Sequence, residues 1–291
     1  MNCIKHPFTH PLFTKRFNRR ILEYLQSIAP GYDVLYFDYT QTAIYSLFID
    51  HPDKVIRCHD IMAQKFYRQH PFLLPWIKHS ERKLLSSAAK VFVPSDKDAR
   101  IVSETYGISS LYTHECLHDF DFPKTISAEK SFVFFGLWSR KENLNGLVWF
   151  VKNVLPLVKH ELRNSFSVMG GGLSEQNRVK YLEENNIEYL GFVKDCYGTI
   201  VRKSAVIVPL FEGAGVKVKV LDSFTTGTPV IGTELAFEGI PFVNGLQIQK
   251  QTAQDFADAI NDFTPLVLEE KKKCQKNFLE KYNNYHLADF L

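Results

Sequence analysis

The sequence predicts an α/β protein in which parallel strands alternate with helices. Short apolar runs rich in β-branched residues alternate with longer amphipathic runs along most of the 291 residues, which are enough for two domains. A polar, proline-bearing stretch at 116–130 has no clear period and separates two such blocks. Since each block alternates strand and helix, we expect two Rossmann-like domains with a cleft between them.

The first block, residues 1–120, is expected to form the smaller sheet. Its strand-like runs are 33–37, 54–58 and 90–94, and its helix-like runs are 14–28, 60–70, 72–89 and 96–106. The strand runs are short and apolar, whereas the helix runs are longer and keep apolar residues at helical spacing. Three strands are few for a Rossmann-like sheet, so we expect a shortened N-terminal domain.

The second block, residues 131–265, repeats the alternation more completely. Its strand-like runs are 131–136, 165–172, 187–193, 206–210 and 229–233, and its helix-like runs are 143–159, 174–185, 195–203, a helix ending at Gly227, and 252–263. A last helix at 266–282 is assigned to a C-terminal helix and tail, 266–291. Alternation of this kind predicts a complete parallel sheet with helices on both faces.

Charge and cysteine usage exclude several classes of function. A net charge of +3 is too small to argue for nucleic-acid binding by itself. None of the five cysteines forms a CxxC pair, which favours a reducing compartment over a disulfide framework or a zinc site. No apolar run approaches the roughly 20 residues of a membrane span, and the N-terminus lacks the apolar core of a signal peptide. We therefore expect a cytoplasmic protein.

The stretch 206–240 predicts a βαβ unit that binds phosphate. An apolar strand leads into a loop with Gly213 and Gly215, and Lys217 and Lys219 follow at the start of a helix. Glycines let backbone N–H groups approach an anion, the helix N-terminus adds partial positive charge, and the lysines add full charges. A solvated basic helix start after a flexible loop is the alternative interpretation.

Five short motifs follow one another in the second block. They are, in chain order, Phe134-Phe135-Gly136 with Asn143 and Pro156, Val168 to Gly172, Gly191 to Asp195, Pro209 to Gly227, and Pro229-Val230. This order resembles the retaining glycosyltransferases called group 1, which have the two-Rossmann architecture known as GT-B. In the first block, His59-Asp60 and Pro94-Ser95 resemble the acceptor-domain landmarks of that family.

The resemblance implies an enzyme that moves a sugar from a nucleotide-diphosphate-sugar donor to an acceptor hydroxyl with retention of configuration. It implies no metal and no other cofactor, and it places a saccharide or lipid-linked saccharide acceptor against the N-terminal domain. Synthesis of a surface polysaccharide is the expected pathway. The basic, aromatic stretch at 6–20 is a candidate for peripheral membrane contact, or is one amphipathic helix packed on the sheet.

The resemblance and the strand-end positions together predict donor-binding residues in the second block. They are Gly136, Arg140, Lys141, Gly171, Phe192, Val193, Gly213, Gly215, Lys217, Lys219 and Asp222. The basic groups and backbone amides would stabilise the charge that a leaving nucleoside diphosphate gains. Asp222 falls where the family holds the ribose hydroxyls, whereas Ala214 replaces the family's glutamate that contacts the donor sugar.

His59, at the end of strand 54–58, is the candidate catalytic residue. An imidazole there is able to orient the donor sugar or the acceptor hydroxyl, or to carry a proton. The retaining mechanism needs no side-chain base if the leaving phosphate accepts the proton of the acceptor. A purely structural histidine is the alternative.

Two further patterns carry less weight. Asp119-Phe120-Asp121 matches the D-x-D motif of metal-dependent sugar transferases, but it lies in the expected linker and not after a strand. Lys271-Lys272-Lys273 is most simply a solvated helix face.

Two other functions stay open, namely a sugar-nucleotide epimerase of the same fold and a non-catalytic nucleotide-sugar-binding or partner subunit. The shortened first domain and Ala214 favour the second of these.

Overall fold

The computed structural model describes residues 9–112 and 120–282, which form two compact units of α/β structure. Unit 1 contains 9–112 together with Ala214–Val216, and unit 2 contains 120–213 together with 217–282. Both units are built on parallel sheets, so the predicted fold class is confirmed. No helix in these ranges is both long enough and apolar enough to cross a membrane.

Unit 1 has a four-stranded parallel sheet in the order β1-β2-β3-β4. The strands are β1 Leu35–Asp38, β2 Lys54–Arg57, β3 Lys90–Val93 and β4 Leu111–Tyr112. The helices are α1 Pro11–Thr14, α2 Arg19–Ile28, α3 Met62–Gln69, α4 Leu74–Leu85 and α5 Asp96–Tyr106, with 3₁₀ turns at Ala29–Gly31, Ala43–Leu47 and Pro71–Leu73. Strand β4 was not predicted, because two residues are too short to give an apolar run.

The basic, aromatic stretch at the N-terminus packs into the core of unit 1. The expected helix 14–28 is divided in two, because the Asn18 side chain accepts hydrogen bonds from the N–H groups of Arg20 and Ile21 and so starts a new helix. Phe13 is fully buried, and the Phe17 ring is stacked on Tyr45 at 5.3 Å. Phe13 therefore lies in the core of unit 1 and the half-buried Phe17 packs against that core, while residues 6–8 lie outside the described ranges.

A buried carboxylate fixes the start of α3. Glu81, on α4, accepts hydrogen bonds from the N–H groups of Met62 at 2.8 Å and Ala63 at 2.9 Å, and from the Tyr106 hydroxyl at 2.6 Å. Helix α3 has no side-chain cap from its own N-cap residue Ile61. Glu81 therefore supplies, from another helix, the acceptor that an N-cap residue normally provides.

Unit 2 has a six-stranded parallel sheet in the order β10-β9-β8-β5-β6-β7. The strands are β5 Phe132–Phe135, β6 Phe166–Met169, β7 Glu188–Gly191, β8 Ala205–Val208, β9 Val230–Gly232 and β10 Gln247–Gln249. The helices are α6 Lys141–Trp149, α7 Glu175–Tyr181, α8 Cys196–Val201, α9 Val218–Thr225, α10 Ala253–Asn261 and α11 Leu268–Tyr282. A π-turn at Phe150–Val154 and 3₁₀ turns at Leu155–Leu157, His160–Ser165, Glu183–Asn185 and Glu234–Phe237 complete the unit.

The core of unit 2 is rich in phenylalanine. Phe132 and Phe166 stack with ring centroids 5.3 Å apart, and Phe134 meets Phe150 edge-on at 4.8 Å. Burial of side chains this large is the dominant favourable term in the stability of such a sheet. The polar strand β10, with glutamine at both ends, contributes little to this core and gave no signal in the sequence.

Lys271 does not lie on a solvated helix face. It is 1% exposed, and its ammonium group donates to the carbonyl oxygens of Val201 and Lys203 and to the Thr228 hydroxyl. Burial lowers the pKa of Lys271 to about 7. The triple-lysine pattern predicts a solvated face and does not indicate this burial. The acceptors are carbonyls at and just after the end of α8 and a hydroxyl before β9, and all of them come from distant segments.

The Glu81 carboxyl should make the stability of unit 1 depend on pH. Burial raises the pKa of Glu81 to about 7. The folded state then holds more protons than the unfolded state between pH 4.5 and 7, so the contribution of Glu81 to folding stability decreases as pH rises through that window. Glu81→Gln, which cannot titrate, should unfold with a flatter pH dependence than the native chain between about pH 5 and 8.

Denaturant titrations at several pH values measure this difference. Tyr106→Phe, which removes one donor to the same carboxylate, should cost about 1–3 kcal/mol at neutral pH. Glu23→Gln is the matched control, because that carboxylate pairs with Arg19 on the exposed face of α2. Parallel pH curves for the native chain and Glu81→Gln would disprove the assignment.

Candidate functional site

The sheet of unit 2 reverses its order between β5 and β8. From β5 the chain proceeds through β6 to β7 on one side, and it then returns to place β8, β9 and β10 on the other. In open parallel sheets, ligands bind outside the carboxyl ends of the strands at such a switch point. The loops that leave β5 and β8 here are residues 136–140 and 209–217, which contain five of the predicted donor-binding residues.

Lys219 is the central basic group at this switch point. Its amine lies 2.6 Å from Oδ1 of Asn143, and Nδ2 of Asn143 donates to the Leu137 carbonyl at 2.9 Å. Helix α9 is thereby joined to helix α6, and the amine is held over Gly136, where a Cβ would come within 3.0 Å of Nζ. Gly136 is thus the residue that leaves room for Lys219.

Two more cations surround this amine. Burial lowers the pKa of Lys219 to about 8; the Glu142 carboxylate opposes the shift, and the charges of Arg140 and Lys217 add to it. Lys217 pairs with Glu238 at 3.9 Å, and both side chains are only 10% exposed. Two of the three cations, Lys217 and Lys219, are therefore largely buried, whereas Arg140 is exposed, and an anionic ligand would relieve the repulsion among them.

The glycine turn after β6 is required by close backbone packing. Gly170 has a φ of 116°, and a Cβ there would collide with the Gly136 carbonyl. Gly172 has a φ of 84°, and a Cβ there would come within 3.0 Å of the Ser139 nitrogen. Gly171, the predicted member of the three, has open space around it, while its carbonyl accepts from the Trp138 N–H at 2.9 Å. The outer two glycines therefore shape the loop after β5.

The predicted glycine loop is divided between the two units. Gly213 belongs to unit 2, has a φ of 124° and lies near the Lys217 side chain. Gly215 belongs to unit 1, has a φ of 72°, and lies against His59 and Asp60, where a Cβ would collide with the Asp60 carboxylate. The structure therefore groups Gly215 with His59 and Gly213 with the lysines.

Asp222 projects from α9 toward α8. Its Oδ1 accepts a hydrogen bond from the Tyr197 hydroxyl at 2.7 Å, and the Tyr197 ring meets Phe120 edge-on at 6.0 Å. A carboxylate only accepts hydrogen bonds, and its two oxygens match the geometry of a vicinal diol. Tyr197 is part of no motif in the sequence. It positions Asp222 through a contact between α8 and α9.

The remaining predicted residues lie at strand and helix ends. Phe192 follows β7 and is 86% exposed, which rules out a place in the core, and Val193 beside it is half-buried. Lys141 is the first residue of α6 and is exposed. Among the described residues, no group of three or more His, Cys, Asp or Glu side chains is arranged to hold a metal ion. Asp119 of the D-x-D pattern lies outside these residues.

His59 belongs to a polar cluster at the carboxyl ends of β1 and β2. Its Nε2 lies 2.8 Å from Oδ1 of Asp38, the last residue of β1. The Tyr39 ring is stacked on the imidazole at 4.0 Å with an interplanar angle of 20°. Tyr39 has a φ of 69°, a left-handed conformation that is unfavourable for an aromatic residue. The imidazole is thus clamped between a carboxylate and a ring, and it is not packed in the sheet core.

A family model described as "Glycosyl transferases group 1" matches residues 129–264, which contain the switch point and its basic groups. This part of the chain is similar to the group 1 glycosyltransferases. The resemblance to this family that the motifs predict is confirmed over these residues. No curated protein sequence matches the chain.

Solved glycosyltransferase structures share the fold of the whole chain. TarM of S. aureus, crystallised with UDP, has a TM-score of 0.71 at 14% identity, with 90% of this chain and 55% of TarM covered. HepE of Anabaena, in complex with UDP, has a TM-score of 0.68 at 16% identity, with 90% of this chain and 78% of HepE covered. Sucrose-phosphate synthase of Thermosynechococcus elongatus has a TM-score of 0.70 at 14% identity, with 90% of this chain and 73% of the synthase covered. The chain thus spans little more than half the length of TarM.

The Asp38 contact should fix the tautomer of His59. A carboxylate only accepts, so Nε2 must carry the hydrogen and Nδ1 must keep its lone pair when the ring is neutral. Nitrogen-detected NMR of the neutral imidazole should therefore show the Nε2–H form. Asp38→Asn retains an acceptor and should preserve this form, whereas Asp38→Ala should give a mixture. The exposed His79 is the internal reference, and a predominant Nδ1–H form in the native chain would rule out the assignment.

Proposed function

We propose that the chain transfers a sugar from a nucleotide-diphosphate-sugar to an acceptor hydroxyl with retention of anomeric configuration. The observation that carries this proposal is the group of three cations, Arg140, Lys217 and Lys219, at the switch point between β5 and β8. A nucleoside diphosphate that leaves the sugar gains negative charge as the glycosidic bond breaks. A partly dehydrated cluster of this kind stabilises that charge without a metal ion, so we propose metal-independent transfer.

The nucleotide proposed for the first tests is UDP. Its support is that TarM and HepE, which share this fold, were solved with UDP, and HepE also with UDP-glucose. In the proposed complex the diphosphate lies against Lys219 and Lys217, and Asp222 accepts from the ribose hydroxyls. Phe192, exposed at the end of β7, is proposed to stack on the base.

The proposed acceptor is a saccharide or a lipid-linked saccharide in surface-polysaccharide synthesis. WaaG, described as a glycosyltransferase of lipopolysaccharide biosynthesis, shares the fold with a TM-score of 0.62 at 13% identity. We propose that His59 acts on the acceptor side, because Asp38 holds the imidazole at the carboxyl ends of β1 and β2, where ligands bind in open parallel sheets. This role is independent of the nucleotide, which belongs to unit 2.

A non-catalytic nucleotide-sugar-binding subunit is the second candidate function. Ala214 stands where the family has the glutamate that contacts the donor sugar, and Glu212 nearby accepts a hydrogen bond from Asn145 at 2.8 Å. The four-stranded sheet of unit 1 is also small. Release of UDP from UDP-glucose, with or without an acceptor, separates the two functions, because a binding subunit releases none.

Diphosphate binding should be coupled to proton uptake by Lys219. The pKa of Lys219 is about 8 in the absence of ligand, and a bound diphosphate should raise it, so binding takes up protons. UDP affinity should then fall as pH rises above 8, by up to about tenfold per pH unit. Lys219→Met should weaken the binding of UDP far more than that of uridine, and it should abolish the proton uptake that accompanies UDP binding.

Calorimetry in buffers of different ionisation enthalpy measures the protons taken up. Lys152→Met is the matched control, because that lysine is exposed on the π-turn after α6. Equal losses of UDP and uridine affinity in Lys219→Met would remove the phosphate assignment.

His59 should affect transfer and not donor binding. His59→Ala should reduce the transfer rate by about 10²–10⁴-fold if the imidazole carries a proton, with UDP affinity almost unchanged. Transfer from UDP-glucose is measured in the presence of a chelator, and the anomeric configuration of the product is read by NMR. Full activity of His59→Ala would end the proposed role of this residue. A product with inverted anomeric configuration would exclude retention. If the chelator abolishes activity and added manganese restores it, metal independence is excluded.

A further inference from the structure

A cavity of unit 2 opens at the amino-terminal ends of β6 and β7. Its volume is about 490 Å³, which lies within the range of small-molecule sites. Its walls are the segments that lead into these two neighbouring strands, 155–164 and 184–186. The switch point lies at the carboxyl ends of the same sheet, so this cavity is a separate feature of the unit. The polar side chains that line it are His160, Arg163, Asn164, Glu184, Asn185 and Asn186.

Arg163 is held in place in the wall that precedes β6. Its Nε donates to the Val158 carbonyl at 3.1 Å, and its Nη2 donates to the Pro156 carbonyl at 2.9 Å. The helical run that continues from α6 ends at Leu157, and the guanidinium supplies donors to carbonyls at that end. These contacts leave both N–H groups of Nη1 for a ligand. Because the side chain is already fixed, it loses little further conformational entropy when a ligand binds.

The wall that precedes β7 contributes a carboxylate and two amides. Asn186 has a φ of 54°, a left-handed conformation that asparagine tolerates better than most residues, and it ends the 3₁₀ turn Glu183–Asn185. Nδ2 of Asn185 donates to the Tyr181 carbonyl at 3.4 Å, so its Oδ1 stays available as an acceptor. Glu184 is exposed. This wall therefore offers mainly acceptors, whereas the Arg163 wall offers donors.

Apolar side chains form the base of the cavity. Val151 and Leu155 line it and are 6% and 5% exposed, and both belong to the core of unit 2. Pro156 adds an apolar ring at the rim, where it is exposed. A ligand with one apolar face and several polar groups at its edge would use both parts of this lining.

The charges of the lining favour an uncharged ligand. With histidine taken as neutral, the full charges are the Arg163 guanidinium and the Glu184 carboxylate, and within the described ranges no ion pair joins the two. The carboxylate would repel a phosphate, and the guanidinium would repel an amine. A pyranose ring has hydroxyl groups that donate and accept, together with faces of C–H groups. It therefore matches the amides, both charges and the apolar base.

We propose that this cavity binds a short, neutral oligosaccharide. Binding there does not require sugar transfer, because it uses neither the cations of the switch point nor His59. Its value to the reaction rests on the proposed function. A saccharide chain held at the amino ends of β6 and β7 stays on the enzyme without occupying the place of the donor, which is proposed to lie at the opposite edge of the sheet.

Side-chain amide NMR tests the proposal without any assay of activity. The probes are maltotriose, cellotriose and the trimer of N-acetylglucosamine. At least one of them should shift the Nδ2–H₂ signals of Asn164 and Asn186 in the native chain, since both amides line the cavity. Saturating UDP should leave these shifts in place. Sodium pyrophosphate at the same concentration should shift the two signals less than the bound trisaccharide does, because Glu184 opposes an anion.

Variants locate the contact. Asn186→Gly with Glu184→Ala should weaken trisaccharide binding by at least about tenfold, and glycine adopts the left-handed conformation of residue 186 without strain. Arg163→Met, which removes the donors of the other wall, should weaken it by a similar factor. Gln176→Ala with Glu175→Ala is the matched control. It removes an amide and a carboxylate from the exposed start of α7 in the same unit, and it should bind within about twofold of the native chain.

Four outcomes would overturn the proposal. The first is that none of the three trisaccharides shifts the two amide signals, and the second is that pyrophosphate shifts them more. The third is that the cavity variants bind trisaccharide as tightly as the native chain. The fourth is that UDP abolishes the shifts, which would place the saccharide at the switch point. If the native chain releases no UDP from UDP-glucose, the proposed function fails, whereas the trisaccharide titration still decides the cavity.

Discussion

The buried amine of Lys219 is the group around which the candidate site is arranged. Its hydrogen bond to Asn143 joins α9 to α6 on either side of the point where the sheet reverses its order. Gly136 has to lack a side chain because the amine lies above it, and Gly170 has to lack one because the Gly136 carbonyl occupies that space. The glycines of two loops thus pack in sequence beneath this amine.

The chain buries a second lysine amine, and comparison of the two shows what distinguishes a binding group from a structural one. Lys271 donates to three oxygen atoms that the fold holds fixed, and these contacts use all three donors of an ammonium group. Lys219 donates to a single neutral amide in the described contact and lies within the field of Arg140 and Lys217. Only the second amine lies at the switch point, where ligands bind in open parallel sheets.

Much of the site was predictable, because strand ends and glycine loops leave a local record in the sequence. The parallel sheets, the two blocks and the basic loop after β8 were predicted from apolar runs and from residues between 206 and 240. Asp38, Tyr197 and Glu238 were not, since each becomes significant only through a contact with a residue 21 or more positions away. The buried state of Lys271 and Glu81 was missed for the same reason, as sequence patterns report the face of a helix but not the acceptors or donors that cover it.

The capping of α3 by Glu81 also has a consequence for the order of folding. The start of α3 is completed by a residue 18 to 19 positions later in the chain, and that residue is in turn held by Tyr106, another 25 positions on. A local cap would allow the helix to form early. The Glu81 cap becomes available only when α4 and α5 have already packed together. The first turn of α3 should therefore be among the last parts of unit 1 to consolidate, with φ-values near zero for substitutions at Met62 and Ala63.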